Sequence, residues 1–337
     1  MAVLLIVDIV PHSSALTIRS LMSEPTSPAA TPQQAAPTRL PARALLLLIM
    51  VVILWGGSYP TMKAAALEMP IIFFRGWAAF LPAVVMLTIS RAIGHSLRVP
   101  RQCWMGVAIS GVCTVTLTHT LTNVSTLYMA SGQTSLMLYT MPIWAAIISI
   151  PVLGERPTRL HWLGVALGFG GIVLLWSQTA QDGLSFGVLI GVVSAIAWAC
   201  GTIAVKSVSR HLPALVLTGW SFAIGALPLC LYGFTEIDQL GPISDRALWS
   251  ALYIMFGANF LGFLTFFYII GMVPAVVASL SVVAVPGVAF VLGVFILDEI
   301  MTAMDGVAFA LIAGALATVL PKPSIKRNAS GKERHEV

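Results

Sequence analysis

The sequence has little charge. Only 9% of its 337 residues are Asp, Glu, Lys or Arg, against about 25% in soluble domains. It is 58% hydrophobic with a mean hydropathy of +0.93, and so few charges cannot solubilise that much apolar surface, so lipid is the expected solvent. The residue sets of membrane enzymes are missing too. There is no HExxH, no DxxD-type cluster and no paired histidines, which leaves intramembrane hydrolysis or prenyl and phospholipid transfer without catalytic groups. Cys103, Cys113, Cys200 and Cys230 show no CxxC spacing and read as small core residues, so neither a metal nor a cofactor is implied. No acidic residue falls well inside an apolar run, so proton coupling would lack its usual intramembrane carboxylate. His119 is then the leading candidate for such coupling, because imidazole titrates near neutral pH; facilitated diffusion or exchange is the alternative.

What is present is a series of apolar runs. A crossing helix needs roughly 20 apolar residues. Spans are predicted at about 44–66, 70–90, 103–126, 131–153, 160–177, 184–206, 213–233, 248–270, 274–297 and 303–320, which makes ten. With the N-terminus in the cytoplasm, 15 of the 18 basic residues fall on the inner side and only Lys63, Arg75 and Arg246 on the outer side. The net charge of +5 therefore reads as membrane orientation, not as a nucleic-acid surface. The expected protein is all-α and multi-pass in the cytoplasmic membrane, with both termini cytoplasmic. Residues 1–43 are expected to form a disordered Pro/Ala-rich tail, since Glu24–Leu40 cannot build a packed core. Val3–Val10 is too short to span and lacks the basic flank of a signal peptide, and Met22 is an alternative start. Residues 321–337 form a basic cytoplasmic tail.

The chain repeats itself. Trp55 and Lys63 recur as Trp198 and Lys206 at an offset of 143 residues. Ser135-Leu136, Pro142, Leu153, Glu155 and Gly170 recur as Ser279-Leu280, Pro286, Leu297, Glu299 and Gly314 at an offset of 144. Residues 44–177 and 184–320 are thus two five-helix copies. Five is odd, so the second copy enters the membrane inverted, and an inverted repeat has its binding site at the interface of the copies and two ways to rock around it.

These residues resemble the EamA-type members of the drug/metabolite transporter superfamily. The likeness rests on Trp55-Gly56-Gly57-Ser58 with Pro60, on Arg75, and on Ser135 and Pro142 running to Gly154-Glu155, then Gly164 and Gly170-Gly171. In the second copy Ser279, Pro286, Glu299, Gly306 and Gly314 repeat the later part, while Trp198-Ala199-Cys200-Gly201 departs from the first motif and Arg75 has no counterpart. The resemblance implies a ten-helix secondary transporter that exports small metabolites, such as amino acids, by alternating access. The alternatives are a xenobiotic exporter of the same fold and a non-transporting receptor or scaffold. A phosphate or nucleotide-sugar carrier fits less well, since it needs several Lys or Arg in the cavity. The partners expected are a small-molecule substrate and the bilayer; a homodimer stays open.

Charges inside the membrane are costly, which singles out Arg75 as a partner for an anionic substrate group, with snorkelling or helix capping as the plainer reading. Snorkelling is the simpler account of Lys63 and Lys206. Pro60 is expected to bend the first helix near Ser58-Tyr59 and free carbonyls for a ligand, with Trp55 and Tyr59 supplying flat surface. Trp55 could equally belong to the interfacial belt, whereas Trp198 lies too deep for that. His119 and Asn123 share a helix face, and with Tyr139, Asn259 and Ser279 they could line a wet cavity; interhelical hydrogen bonding is the alternative, chiefly for Asn259. Pro142 and Pro286 are expected mid-helix as kinks or hinges. Glu155 and Glu299 suit capping or gate contacts, and Gly164-x3-Gly168 and Gly187-x3-Gly191 suit close helix packing.

Overall fold

The computed structural model describes residues 42–153, 159–179, 185–270 and 275–319, which form helices joined by short connections, with no strand among them. The first half runs α1 (Ala42–Gly56), α2 (Ser58–Ala66), α3 (Ile71–Ala92), α4 (Trp104–Ser110), a π-helical stretch π1 (Gly111–His119), α5 (Thr120–Tyr128), α6 (Ser131–Leu138), α7 (Met141–Leu153) and α8 (Arg159–Thr179). The second half runs α9 (Ser185–Val208), α10 (Ala214–Gly233), α11 (Asp245–Leu252), π2 (Tyr253–Gly262), α12 (Phe263–Ile270), α13 (Ala275–Leu297) and α14 (Ala303–Val319). Among the described residues six continuous helices are long and apolar enough to cross a membrane: Arg43–Ala66, Ile71–Ala92, Arg101–Tyr128, Phe186–Val208, Ala214–Gln239 and Asp245–Phe266. The tails, Gly154-Glu155 and the side chain of Ser279 lie outside the described residues.

Several expected spans are not single rods. The run 131–153 is broken at Tyr139-Thr140 into α6 and α7. Pro142 is therefore the second residue of α7, in a first turn whose N–H groups have no intrahelical acceptor anyway. It begins a helix and does not kink one, which corrects the expectation of a mid-helix proline; Pro286 does lie inside α13. In the first span the interruption falls at Gly57, one residue before α2, and Pro60 sits buried in the first turn of α2. The carbonyls near this break have protein donors: Ser58 Oγ bonds Trp55 O at 2.6 Å and Thr61 Oγ1 bonds Gly57 O at 2.7 Å. Glycine is required here by close approach. A Cβ at Gly56 would lie 2.6 Å from Val288 Cβ, and one at Gly57 2.6 Å from the Tyr253 hydroxyl.

The packing comes in pairs that exchange the two halves. The widest interface joins α3 to α10, and α8 packs chiefly on α14. α1 lies on α13 and π2, while α9 lies on α7 and π1. At one end, carboxylates of one half cap helix N-termini of the other, where unpaired N–H groups and the helix dipole favour negative charge. Glu236 Oε2 accepts from Phe73 N (3.1 Å) at the start of α3, and Glu299 Oε2 accepts from Ser131 N (2.8 Å) at the start of α6. Glu68 accepts from both Ser244 N (2.8 Å) and Ser244 Oγ (2.7 Å), ahead of α11.

The two bonds from Ser244, the backbone one first, hold the Glu68 carboxyl below its ordinary value. A carboxylate depressed in the folded state favours folding at neutral pH and loses that contribution as acid titrates it. Ser244→Ala keeps the backbone donor and removes the weaker contribution. A carboxyl-carbon NMR titration is therefore expected to move Glu68 part of the way back up and no further.

Candidate functional site

A cavity lies in the middle of the helices, bounded by both halves, with about 690 Å³ of space free of protein atoms including its mouth. From the first half it is lined by Trp55, Ser58, Tyr59 and Met62 on the broken first helix, Arg75 on α3, Thr114, Thr118, His119 and Thr122 on π1 and α5, and Leu138 and Tyr139 at the α6–α7 break. The second half supplies Trp198 from α9 and Ile254, Ala258, Asn259 and Phe263 from π2 and α12. Eight of the residues expected at a site therefore meet there: Trp55, Ser58, Tyr59, Arg75, His119, Tyr139, Trp198 and Asn259. Asn123 is fully buried but does not line the cavity. Ser279 cannot be placed, its side chain being outside the described residues.

The two π-helical stretches explain part of this convergence, and no sequence pattern marks them. A π-helix bonds i to i+5, so residues five apart share a face. Thr114 with His119, and Ile254 with Asn259, are five apart and all four reach the cavity. Thr118 Oγ1 bonds the Cys113 carbonyl five residues back at 2.7 Å. Other hydroxyls of this polar helix are taken up by neighbours. Thr116 bonds Gly225 O (2.6 Å), Thr122 pairs with Ser194 (2.7 Å), and Ser125 bonds Gly187 O (2.9 Å).

Aromatic rings form much of the wall. Tyr139 meets Trp198 edge-on at 6.0 Å, and Trp55 meets Phe263 at 5.4 Å. The Trp55 indole donates to Ala258 O in π2 at 3.3 Å, which ties the first helix to the other half and places Trp55 inside the protein, not in an interfacial belt. Asn259 Nδ2 donates to Ala78 O at 2.7 Å, so this residue is both an interhelical tie and part of the wall. His119 packs edge-on against Phe222 at 5.6 Å. A second, more apolar space shares Trp55, Thr114, Trp198, Phe222-facing Phe263 and their neighbours, and extends along Ser110, Thr202, Val205, Leu217 and Thr218.

The cavity's polar groups are unevenly matched. Arg75 is only 4% exposed, and among the described residues its Nε has no hydrogen-bond partner and no Asp or Glu lines the cavity. Among the described residues one ring nitrogen of His119 is also buried without a partner, as are both amide atoms of Asn123, which lies outside the cavity lining. Buried polar atoms are normally bonded, so such a group of exceptions marks a place for a ligand or water.

The capped end begins one residue beyond the cavity lining, at Lys63 after Met62. Lys63 is not a snorkelling residue: its Nζ lies 2.7 Å from Glu299 Oε1 and 3.0 Å from Met129 O. Glu299 also accepts from Ser131 Oγ at 3.1 Å, which agrees with the capping role expected of it. Asp298, at φ +55°, ends α13 in the left-handed conformation and turns the next residue back toward α6. Beside this pair Gln133 Nε2 bonds the fully buried Asp305 at 2.8 Å, a carboxylate that sequence reading did not single out. Its signal was available: Thr302 three residues ahead of Asp305 is the spacing of a helix cap, and Thr302 N does bond Asp305 Oδ2 at 2.8 Å.

The EamA-like transporter family model matches residues 42–177 and again residues 185–320, two segments that start 143 residues apart and together make up most of the chain. The chain belongs to the EamA-like transporter family. This EamA chain is 26% identical over 279 residues to the uncharacterized transporter YvbV of Bacillus subtilis, covering 82% of this chain and 89% of that protein. It is 27% identical over 292 residues to a Salmonella typhimurium protein named as a probable amino-acid metabolite efflux pump, covering 80% of this chain and 92% of the relative. A solved crystal structure shares its fold with a TM-score of 0.58 at 22% identity, covering 82% of this chain and 97% of that one. The EamA protein is thus a multi-pass membrane transporter, and its cavity lies between its two copies of the family unit.

Proposed function

We propose that this EamA protein is a ten-helix carrier of the cytoplasmic membrane that exports small metabolites, amino acids or close relatives, by alternating access. Residues 44–177 and 184–320 are its two five-helix copies, inserted in opposite senses, with both termini in the cytoplasm. The observation that carries the reading is the shared cavity, faced by Trp55 and Trp198 from equivalent positions in the two copies. The paired interfaces between halves support two states related by exchanging the roles of the copies. The basic-residue bias supports the orientation. The printed name of the Salmonella relative supports amino-acid-like cargo.

In this cycle the end carrying Lys63, Glu299 and Ser131 faces outward and is shut. Cargo enters from the cytoplasmic side, settles against the aromatic wall, and leaves after the two copies rock and the Lys63–Glu299 contact separates. Gln133–Asp305 separates in the same movement, because its members also lie on different copies.

Radiolabelled efflux from cells expressing the protein, screened over amino acids and cationic drugs, tests the reading. One class is expected to leave faster, and Trp198→Ala is expected to slow that efflux at least tenfold with the protein still in the membrane. Removing a ring that packs edge-on against Tyr139 takes away about 1.5–3 kcal/mol of contact, more than the roughly 1.4 kcal/mol that makes a factor of ten. Efflux of no compound from a folded, inserted protein would count against transport.

A further inference from the structure

The guanidinium of Arg75, in a cavity that no carboxylate lines among the described residues, goes further than the carrier reading on which it rests. Keeping a cation out of water without a counter-ion costs several kcal/mol, and proteins normally supply a carboxylate to offset it. Here the compensation visible to Arg75 is slight: its Cζ stands 5.7 Å from the Phe74 ring centroid. Among the described residues it has no hydrogen-bonding or ion-pair partner, and no acidic side chain lines the cavity. Among the described residues the cavity therefore carries one positive charge without a carboxylate to meet it, set among rings.

We infer that the cargo is an organic monoanion, a carboxylate on a flat or bulky apolar body, whose charge is met by Arg75 and whose body lies against Tyr139 and Trp198. A guanidinium offers a carboxylate two parallel donors, which is why arginine suits this group. Loading then brings the site to net neutrality. A second negative charge would be left unmatched, and a cation would be repelled. An α-ammonium has no carboxylate to meet it and is tolerated only through the ring faces and neutral oxygens, so the amine of an amino acid is dispensable while the carboxylate is not.

The test uses the full chain, purified in lipid nanodiscs, and four probes of one shape: 3-phenylpropionate, phenylalanine, 3-phenylpropionamide and phenethylamine. Equilibrium binding is expected for the two carboxylates, with the amide and the amine at least tenfold weaker. Arg75→Gln is expected to bring the acid down to the level of the amide. Arg75→Lys, which keeps charge but not the fork, is expected to fall between. Equal binding of acid and amide by the wild-type chain would overturn the inference whether or not any variant folds. So would preferred binding of phenethylamine, or binding of neither carboxylate. Counterflow in proteoliposomes separates this from the carrier reading. Trp198-dependent flux of a neutral or cationic compound alone would sink the monoanion and leave the carrier standing. Flux of nothing, whatever its charge, would sink both.

Discussion

Swapping the charges of Lys63 and Glu299, as Lys63→Glu with Glu299→Lys, is expected to restore a large part of the closure that either single change destroys. The pair is mostly withdrawn from water, with side chains 21% and 12% exposed, and Glu299 holds Ser131 N and Oγ as well as the ammonium. Charge-assisted bonds of this kind contribute about 1.5–3 kcal/mol each, and leaving one partner without the other costs more than removing both. Glu299→Ala should therefore shift the balance toward the state open at this end by about 2–4 kcal/mol, a population change of at least thirtyfold. A cysteine at Tyr59, in a chain whose four native cysteines have been replaced, would report it as faster labelling by an impermeant thiol reagent applied outside. Faster labelling in Glu299→Ala and Lys63→Ala, with slow labelling regained in the swap, is the expected pattern. Unchanged labelling in the single variants would mean that the pair is not a closure. The swap also places a lysine beside the N-terminus of α6, so its rescue should be incomplete.

Gly225→Val is expected to be the most damaging single change away from the cavity. At this position α10 and π1 touch backbone to backbone. An added Cβ would stand 2.6 Å from Val115 Cβ and 2.8 Å from Gly111 C, and closer still to Gly111 O. The Gly225 carbonyl also takes the Thr116 hydroxyl at 2.6 Å, which fixes the two elements at this separation. Neither backbone can turn aside as a long side chain would. Overpacking costs typically 1–3 kcal/mol and more where the neighbours are rigid. We expect a fall in the unfolding midpoint of roughly 10 °C in detergent, with Gly225→Ala lying between valine and wild type. A midpoint within about 2 °C of wild type would show that π1 yields easily, and would contradict the tight register seen there.

The features of this molecule differ in how legible they are from residue order alone. The apolar runs, the duplicated Trp, Ser, Pro and Glu positions and the basic-residue bias are chemical requirements of life in a bilayer, so composition and spacing carry them. The cavity residues were legible for the same reason: Arg75, His119, Asn259 and the two tryptophans are costly or bulky where they stand. The π-helical stretches were not, because Gly111–His119 and Tyr253–Gly262 differ from α-helix only in hydrogen-bond register, which no periodicity in so apolar a run displays. The α6–α7 break was hidden by Pro142, which reads equally as a kink or as a helix start. The Lys63–Glu299 contact spans 236 residues, and a lysine at a helix end looks the same from sequence whether it reaches for lipid headgroups or for a carboxylate far along the chain.

That distance has a bearing on how the molecule is made. The ribosome delivers α3 and α6 long before it delivers Glu236 and Glu299, the residues that cap them. While the first copy sits alone in the bilayer, the leading N–H groups of both helices lack these carboxylates, and the ammonium of Lys63 has the Met129 carbonyl but no counter-ion. The first copy is thus a waiting half-product, finished by the tail end of its own translation. Its assembly is decided last, when the turn at Asp298 brings Glu299 into place.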